Sequence, residues 1–310
     1  MDEELKRAGD QFARRNARAS RALSHILDIS YEEQELPRPA LRTGILSLDM
    51  ALGGGLASGI VELHGDESTG KTALLGYLIG AAQRRQFATA LCPTEYLDIP
   101  YLEDLGVDPK LLAIIRGSIG SVQPLARDFL CSDFRLLAVD SLTALRPADE
   151  SYENWNEEVF HFLSLLSSVC SSSSVVVVTN QSRARRSIRP GKVLTRGTET
   201  AARRFTDLFN VRLEVGRDQV SRDTYTMVVN IEANVLSKPA VLVQLPVRKG
   251  YGVQVSLDTL RVALERGYIE QAGSRYYLNG EELGHGEKEA AAALGSTPGL
   301  LSSLQDVLLG

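Results

Sequence analysis

The chain has 310 residues, of which 44% are hydrophobic and 24% charged, and its formal net charge is -5. That length supports one large α/β domain beside a smaller one, and that composition belongs to a chain that packs a core rather than staying disordered. No apolar run reaches the ~18 residues that cross a bilayer, the opening MDEELKRAGD has no leader-like apolar segment, and Cys92, Cys131 and Cys170 form neither a zinc pattern nor a disulfide framework. A cytoplasmic protein without membrane contact is expected, with all three thiols buried as small hydrophobes.

From about Glu3 to Leu23, Leu5, Ala8, Phe12, Ala19 and Leu23 make a thin apolar stripe at helical spacing, while Lys6, Arg7, Arg14, Arg15, Arg18 and Arg21 cover the remaining surface. A stripe that narrow supports no core, so the helix is either a solvated appendage or docks on another subunit. Pro37 and Pro39 mark a linker. Residues 1–36 therefore read as helix and linker, 37–254 as the main domain and 255–310 as a small C-terminal one.

The main domain is organised around Gly65-Asp66-Glu67-Ser68-Thr69-Gly70-Lys71-Thr72, which fits G-x-x-x-x-G-K-[ST]. The pattern lies between Ile60-Val61-Glu62-Leu63, which predicts a strand, and a helical run from Lys71 to about Arg84. In such loops the glycines let backbone N–H groups approach phosphates, and the following helix points its positive dipole end at them. Lys71 is placed to meet the β- and γ-phosphates of a nucleotide, and the Thr72 hydroxyl to hold Mg2+. An ordinary glycine-rich turn is the alternative.

Residues 87–92 predict the next buried strand, with Glu95 just past its end. Ligands of open parallel sheets meet the carboxyl ends of strands, which would turn Glu95 toward the γ-phosphate; a plain surface-loop carboxylate is the other reading. Residues 134–140 are apolar enough for a central parallel strand, and Asp140 at the end fits a carboxylate on the magnesium side. Val159, Leu163, Leu166 and Cys170 give a helix a core face, and 175–181 predict a strand ending in Asn180 and Gln181.

The most charge-biased stretch follows. Arg183, Arg185, Arg186, Arg189, Lys192, Arg196, Arg203 and Arg204 stand against Glu199 alone, a local charge of +7. Pro190, Gly191 and Gly197 make the first part a loop, either a solvated charge run or a groove for a phosphate backbone. It contains no aromatic residue, so base stacking is not expected, and Ile188 stands as an apolar residue among its cations. Residues 224–231 and 241–245 predict further strands. From about Ser256 the chain turns into a helical unit, with Leu257 to Glu265, a hairpin through 275–280 and Ala- and Leu-rich segments.

In this arrangement the chain resembles RecA-type recombinases from about Thr43 to about Leu294. The residues that carry the likeness are Leu46-Ser47-Leu48-Asp49 with Ala51-Leu52-Gly53, the phosphate loop with its Glu67-Ser68, Ala81-Ala82-Gln83-Arg84, Leu105-Gly106-Val107-Asp108, Asp140-Ser141 with Ala144-Leu145, Asn180-Gln181, Val211-Arg212-Leu213 and Gly280-Glu281-Glu282-Leu283-Gly284-His285-Gly286. The resemblance implies an α/β phosphate-loop NTPase core with a mostly parallel sheet, an N-terminal helix that packs on the neighbouring subunit and a small C-terminal α+β domain. It implies ATP and Mg2+ as ligands and Glu95 as the carboxylate that activates water. Asp98 and Tyr101 would hold adenine, and Gln181 would sense the γ-phosphate and relay it to the Arg-rich loop, the family's second DNA-binding loop. Residues 150–157 would be the first such loop.

The implied activity is ATP-dependent recombination and repair: a helical filament on single-stranded DNA that pairs with homologous duplex DNA and exchanges strands. A weakly catalytic or non-catalytic filament or mediator subunit with ATP as a structural ligand is the alternative, and a ring-forming motor on the same core a third. The chain departs from the family in two places. Its first loop, Glu150-Ser151-Tyr152-Glu153-Asn154-Trp155, is acidic and aromatic, and Asn230 and Glu232 stand where the family offers two lysines to a neighbour's nucleotide. It reads as a diverged member, cellular or viral.

Overall fold

The computed structural model describes residues 39–148, 154–183, 187–189, 192–194, 199–200, 203–218, 220–237 and 241–310, and the side chains of 182–204 fall outside that description. The helix expected near the N-terminus also lies outside it, as does the start of the first expected DNA loop. Chain order begins α1 (Leu46–Ala51), β1 (Gly59–Gly65), α2 (Lys71–Arg84), β2 (Ala88–Pro93), α3 (Ile99–Asp104), β3 (Leu112–Ile114), α4 (Ile119–Leu130), β4 (Arg135–Asp140), α5 (Trp155–Val169) and β5 (Val175–Arg183). Short strands β6 (Ser187–Arg189), β7 (Lys192–Leu194) and β8 (Glu199–Thr200) precede β9 (Val211–Asp218), β10 (Thr224–Asn234), β11 (Val241–Arg248) and β12 (Gly252–Val253). The last elements are α6 (Val255–Glu265), β13 (Ile269–Ala272), β14 (Arg275–Leu278), β15 (Glu281–His285), α7 (Glu287–Ser296) and α8 (Leu300–Leu309).

The large sheet runs β12-β11-β10-β9-β1-β5-β4-β2-β3. Pairings from β9 through β3 are parallel, and β10, β11 and β12 extend it antiparallel. This is the mostly parallel α/β core expected. Strand alternation sends Val61, Leu63, Val175, Val177, Leu213, Val215, Met227 and Val229 to one face, where α2 supplies Leu74, Leu75, Leu78 and Ile79. The other face carries Ile60, Leu137, Val139, Val176 and Val178 against α4 and α5, through Val122, Leu130, Phe162 and Leu166. Apolar cover on both faces is why the central strands read as continuous hydrophobic runs.

The antiparallel sheet β13-β14-β15 packs with α6, α7 and α8 around Leu260, Ile269, Tyr276, Leu294 and Leu304. Hydrogen bonds from the Ser47 amide and hydroxyl to Asp258, and from Gln305 to the Gly44 carbonyl, tie this unit to α1. No described helix is long and apolar enough to cross a membrane.

Several features differ from the sequence reading. β3 and α4 were not anticipated: three residues are too few for a period, and Pro124 interrupts the helical signal of α4. Cys131 is exposed and Cys170 half-buried, so only Cys92 is the buried small hydrophobe expected of all three. Inside the expected Arg-rich loop, β6 and β7 form a hairpin and β8 pairs with β5. Trp155 opens α5, half-buried, with its indole N–H donating to the Leu145 carbonyl at 2.9 Å.

α1 is held by a buried acid. The Asp49 carboxylate, 1% exposed, accepts from the Thr43 amide at 2.8 Å, the Thr43 hydroxyl at 2.8 Å and the Gly44 amide at 2.9 Å. Burial outweighs these bonds and pushes its pKa up to about 6 from an ordinary 3.8. The folded state therefore holds this proton more tightly than the unfolded chain. The stability it contributes is complete below about pH 3.8 and is lost as pH rises through 6. Denaturant unfolding between pH 4 and 6 should show a downward slope, on the order of 3 kcal/mol over the full window, that Asp49→Asn removes. Identical slopes in both proteins would contradict this.

Candidate nucleotide site and the adjoining basic segment

The parallel strands bring their carboxyl ends to one edge of the sheet, where a cleft of about 540 Å3 opens. Glu67, Ser68, Gly70, Lys71 and Thr72 line it from β1 and α2, Glu95, Asp98 and Tyr101 from the segment after β2, Asp140 from β4 and Gln181 from β5. Gly65, Asp66 and Thr69 line an adjoining hollow behind the loop with Glu214 to Arg217. Every residue expected at the nucleotide thus lines the cleft or the hollow adjoining it.

The loop's backbone needs its glycines. Gly70 caps α2 at φ 102, and a Cβ there would lie 2.7 Å from the Tyr225 hydroxyl; at Gly65 it would overlap the Val215 carbonyl. The loop is therefore pressed against β9 and β10 as well as opening onto the cleft. Lys71 is buried, and its ammonium donates to the carbonyls of Gly65 at 2.9 Å and Asp66 at 2.6 Å. Burial pulls its pKa below the ordinary value, against the opposing charges of Asp140, Asp66 and Glu67.

The Thr72 hydroxyl donates to Asp140 Oδ2 at 2.9 Å, and Thr179 donates to Asp140 Oδ1. A hydroxyl beside a carboxylate is a hard oxygen pair, suited to an ion that keeps several waters and takes its other ligands from phosphates, as Mg2+ does. Among the described residues no cluster of His, Cys, Asp and Glu could hold a metal without such a ligand. Thr94 ties the ends of β2 and β4 together: its amide and hydroxyl donate to the Asp140 carbonyl at 2.8 and 3.0 Å, and the Ser141 amide donates to its hydroxyl at 2.7 Å. Glu95 follows directly and is exposed to the cleft. Asp98 caps α3 by accepting from the Tyr101 amide at 3.1 Å. Thr179 and Tyr225 were not singled out from sequence; Thr179 shows its position only as a polar residue that breaks the run Val175–Val178 just before Gln181.

Behind the loop, on the face away from α2, lies a buried ionic network set by strand register. Glu62 is opposite Arg212 and His64 is opposite Asn180. Glu62, fully buried, accepts from Asn180 Nδ2 at 2.8 Å and Arg212 Nε at 2.8 Å. Arg212 Nη1 reaches Glu232 at 3.0 Å, and His64 Nε2 lies 3.0 Å from the same carboxylate. Asn230 donates to Glu214 at 3.2 Å. Asn230 and Glu232 are thus both bonded within this subunit. Asn180 Oδ1, buried, has no hydrogen-bond partner among the described residues.

The basic residues Arg183, Arg185, Arg186, Arg189, Lys192, Arg196, Arg203 and Arg204, with Ile188 among them, lie in or between β5 and the short helix Arg203–Leu208. Their side chains are outside the described set, so the structure brings the start of this segment to the cleft only through the backbone: β5 runs unbroken from Gln181 to Arg183.

Residues 24–249 match the model of the RecA N-terminal domain. The chain is 30% identical over 299 residues to the protein named "Protein RecA" of Syntrophobacter fumaroxidans, covering 90% of this chain and 86% of that one. Against the proteins of the same name from Nocardioides sp. and Allorhizobium ampelinum it is 28% identical, covering 90% and 91% of this chain and 84% and 83% of theirs.

Removing Arg212 would leave the buried Glu62 carboxylate with only an amide donor. Truncating one partner of a buried ion pair costs about 3–5 kcal/mol, so Arg212→Ala should lower the unfolding free energy by that order in urea melts. The double variant Glu62→Gln with Arg212→Met should recover part of the loss. A cost under about 1 kcal/mol for Arg212→Ala would show that water reaches the network.

Proposed function

The chain belongs to the RecA family, and we propose that it binds ATP with Mg2+ in the cleft at the phosphate loop, assembles as a filament on single-stranded DNA and promotes pairing and strand exchange with homologous duplex DNA. The observation that carries this reading is the convergence of Lys71, the Thr72–Asp140 pair, Glu95 and Gln181 on one cleft from four different elements. The loop amides and Lys71 hold the β- and γ-phosphates, while Thr72 and Asp140 hold the ion, which neutralises charge between those phosphates when bound. Glu95 accepts a hydrogen bond from the attacking water and positions it in line with the γ-phosphorus. The Gln181 amide meets the γ-phosphate, and Asp98 and Tyr101 receive the adenine.

β5 connects Gln181 to the Arg-rich segment without a break, which supports a path from γ-phosphate to DNA. In this reading the eight cations of 183–204 contact the phosphate backbone with little sequence preference. Residues 1–36 would pack on the neighbouring subunit, 37–254 form the ATPase core and 255–310 a small domain, supported by the separate hydrophobic cluster around Leu260.

A slow motor is favoured over a fast one by a specific observation. Asn230 and Glu232 supply no positive charge and are bonded to Glu214 and to Arg212 and His64. A cation brought to a transferring phosphoryl group is worth about a thousandfold or more in rate. Without one from this strand, DNA-stimulated turnover should fall well below the roughly 10 per second typical of enzymes, and filaments should persist. Lys71→Ala, which removes the charge at the β- and γ-phosphates, should abolish both turnover and ATP-dependent assembly on single-stranded DNA seen by electron microscopy. Full assembly by that variant would remove the basis of the reading.

A further inference from the structure

The walls of the cleft carry more charge than the phosphate loop accounts for. Glu67, Glu95, Asp98 and Asp140 line it against Lys71 from the loop. A polyphosphate that enters with its Mg2+ at Thr72 and Asp140 still meets the carboxylates of Glu67, Glu95 and Asp98, which a further side-chain cation would offset. The strands β9 and β11 and the turn after β11 supply three, Arg217, Arg248 and Lys249. They are not equivalent. The Lys249 ammonium donates to the carbonyls of Ser221 at 2.7 Å and Arg222 at 2.9 Å. Arg248 stacks on Tyr251, a residue 60% exposed at the outer lip.

Arg217 is different. Its guanidinium lies 4.2 Å from the centroid of the Tyr225 ring. That ring is 6% exposed, and its hydroxyl is the atom nearest a Cβ built on Gly70. The guanidinium is thus shelved on a buried aromatic that touches the phosphate loop. Arg217 lines both the cleft and the hollow behind Gly65–Thr69, and its charge acts on the Tyr101 hydroxyl across the cleft. It forms no ion pair with a carboxylate among the described residues. An exposed arginine held by stacking, with its planar fork in no ion pair among the described residues, is arranged for an anion that arrives from outside.

We propose that Arg217, shelved on Tyr225, is a polyphosphate-binding residue of this chain's own nucleotide site, acting from β9 beside the phosphate loop. The inference rests on the nucleotide reading above and adds to it an in-cis cation supplied by the β9–β10 pair. A lysine there would keep the charge but lose the fork and the stack, and alanine would lose all three.

Calorimetric titration of the full chain with ATP, ADP and adenosine, in buffer containing Mg2+, tests this. Arg217→Ala should weaken ATP and ADP binding by about 10- to 100-fold, the range of a charge-assisted hydrogen bond, and leave adenosine within twofold. Arg217→Lys should restore part of the loss. Unchanged ATP and ADP affinity would overturn the assignment, and so would that result accompanied by weakened binding of single-stranded DNA, which would give Arg217 to the nucleic acid instead. Equal losses for all three ligands would reduce the residue to a piece of wall. If the unsubstituted chain binds neither ATP nor ADP, the nucleotide reading itself fails and this inference falls with it.

Discussion

Seven consecutive residues of β1 lie in parallel register with β5, from Gly59 against Val175 to Gly65 against Gln181. Parallel pairing sends every carboxyl end to the same edge, so the phosphate loop, Asp140 and Gln181 meet without any loop having to find them. The same register continues outward, β5 with β4 and β4 with β2, until Pro93 stands beside Asp140 and Thr94 bonds it. A slip of one residue in any pairing would exchange the faces of that strand. Val177 and Leu63 would then leave the α2 side, and Glu62 would enter it. The apolar contacts of Leu63 and Val177 with α2 therefore enforce the geometry of the cleft although neither residue lines it.

The two faces of the sheet do different work at this edge. Toward α2 it is apolar up to Val215 and Met227 under the phosphate loop. Toward the other side, beyond the cover of α4 and α5, it becomes the chain Asn180, Glu62, Arg212, Glu232, His64. Buried ion pairs add little net stability when compared with apolar replacements, and removing one partner is costly. The network is better understood as a specification of register: Glu62 finds Arg212 only when β1 and β9 are paired as they are. It also places a carboxylate bonded at both oxygens three residues before Gly65, where β1 ends, and an amide, Asn180, directly before Gln181.

How much of this was legible in sequence varied with the physics of each segment. Long runs such as Val175–Val178 and Leu136–Val139, covered on both faces, announce themselves as strands, and the glycines and lysine of the phosphate loop carry their own chemistry. β9 was legible only in part: its alternation of Val211, Leu213 and Val215 with Arg212, Glu214 and Gly216 has one apolar and one polar face, and its first three residues stood out only through the family resemblance. The Glu62–Arg212 bond joins residues 150 apart, which no local pattern reveals. Trp155, taken with the first DNA loop, starts a helix because its ring packs on the core around Phe162 and its N–H has a carbonyl to meet. The Arg-rich stretch, too polar for any hydrophobic period, concealed a short local hairpin of β6 with β7 and a pairing of β8 with β5.

The account stands or falls on coupling between the cleft and the basic segment through β5, where Gln181 is the last cleft residue before Arg183. The most direct test is the affinity of the full chain for a single-stranded oligonucleotide, measured with and without ATP and Mg2+, for the unsubstituted protein and for Gln181→Ala. The account predicts that ATP tightens DNA binding by about tenfold or more and that DNA tightens ATP binding by the same factor. Gln181→Ala should erase this coupling while still binding ATP. DNA affinity in the unsubstituted protein that is indifferent to ATP would contradict it.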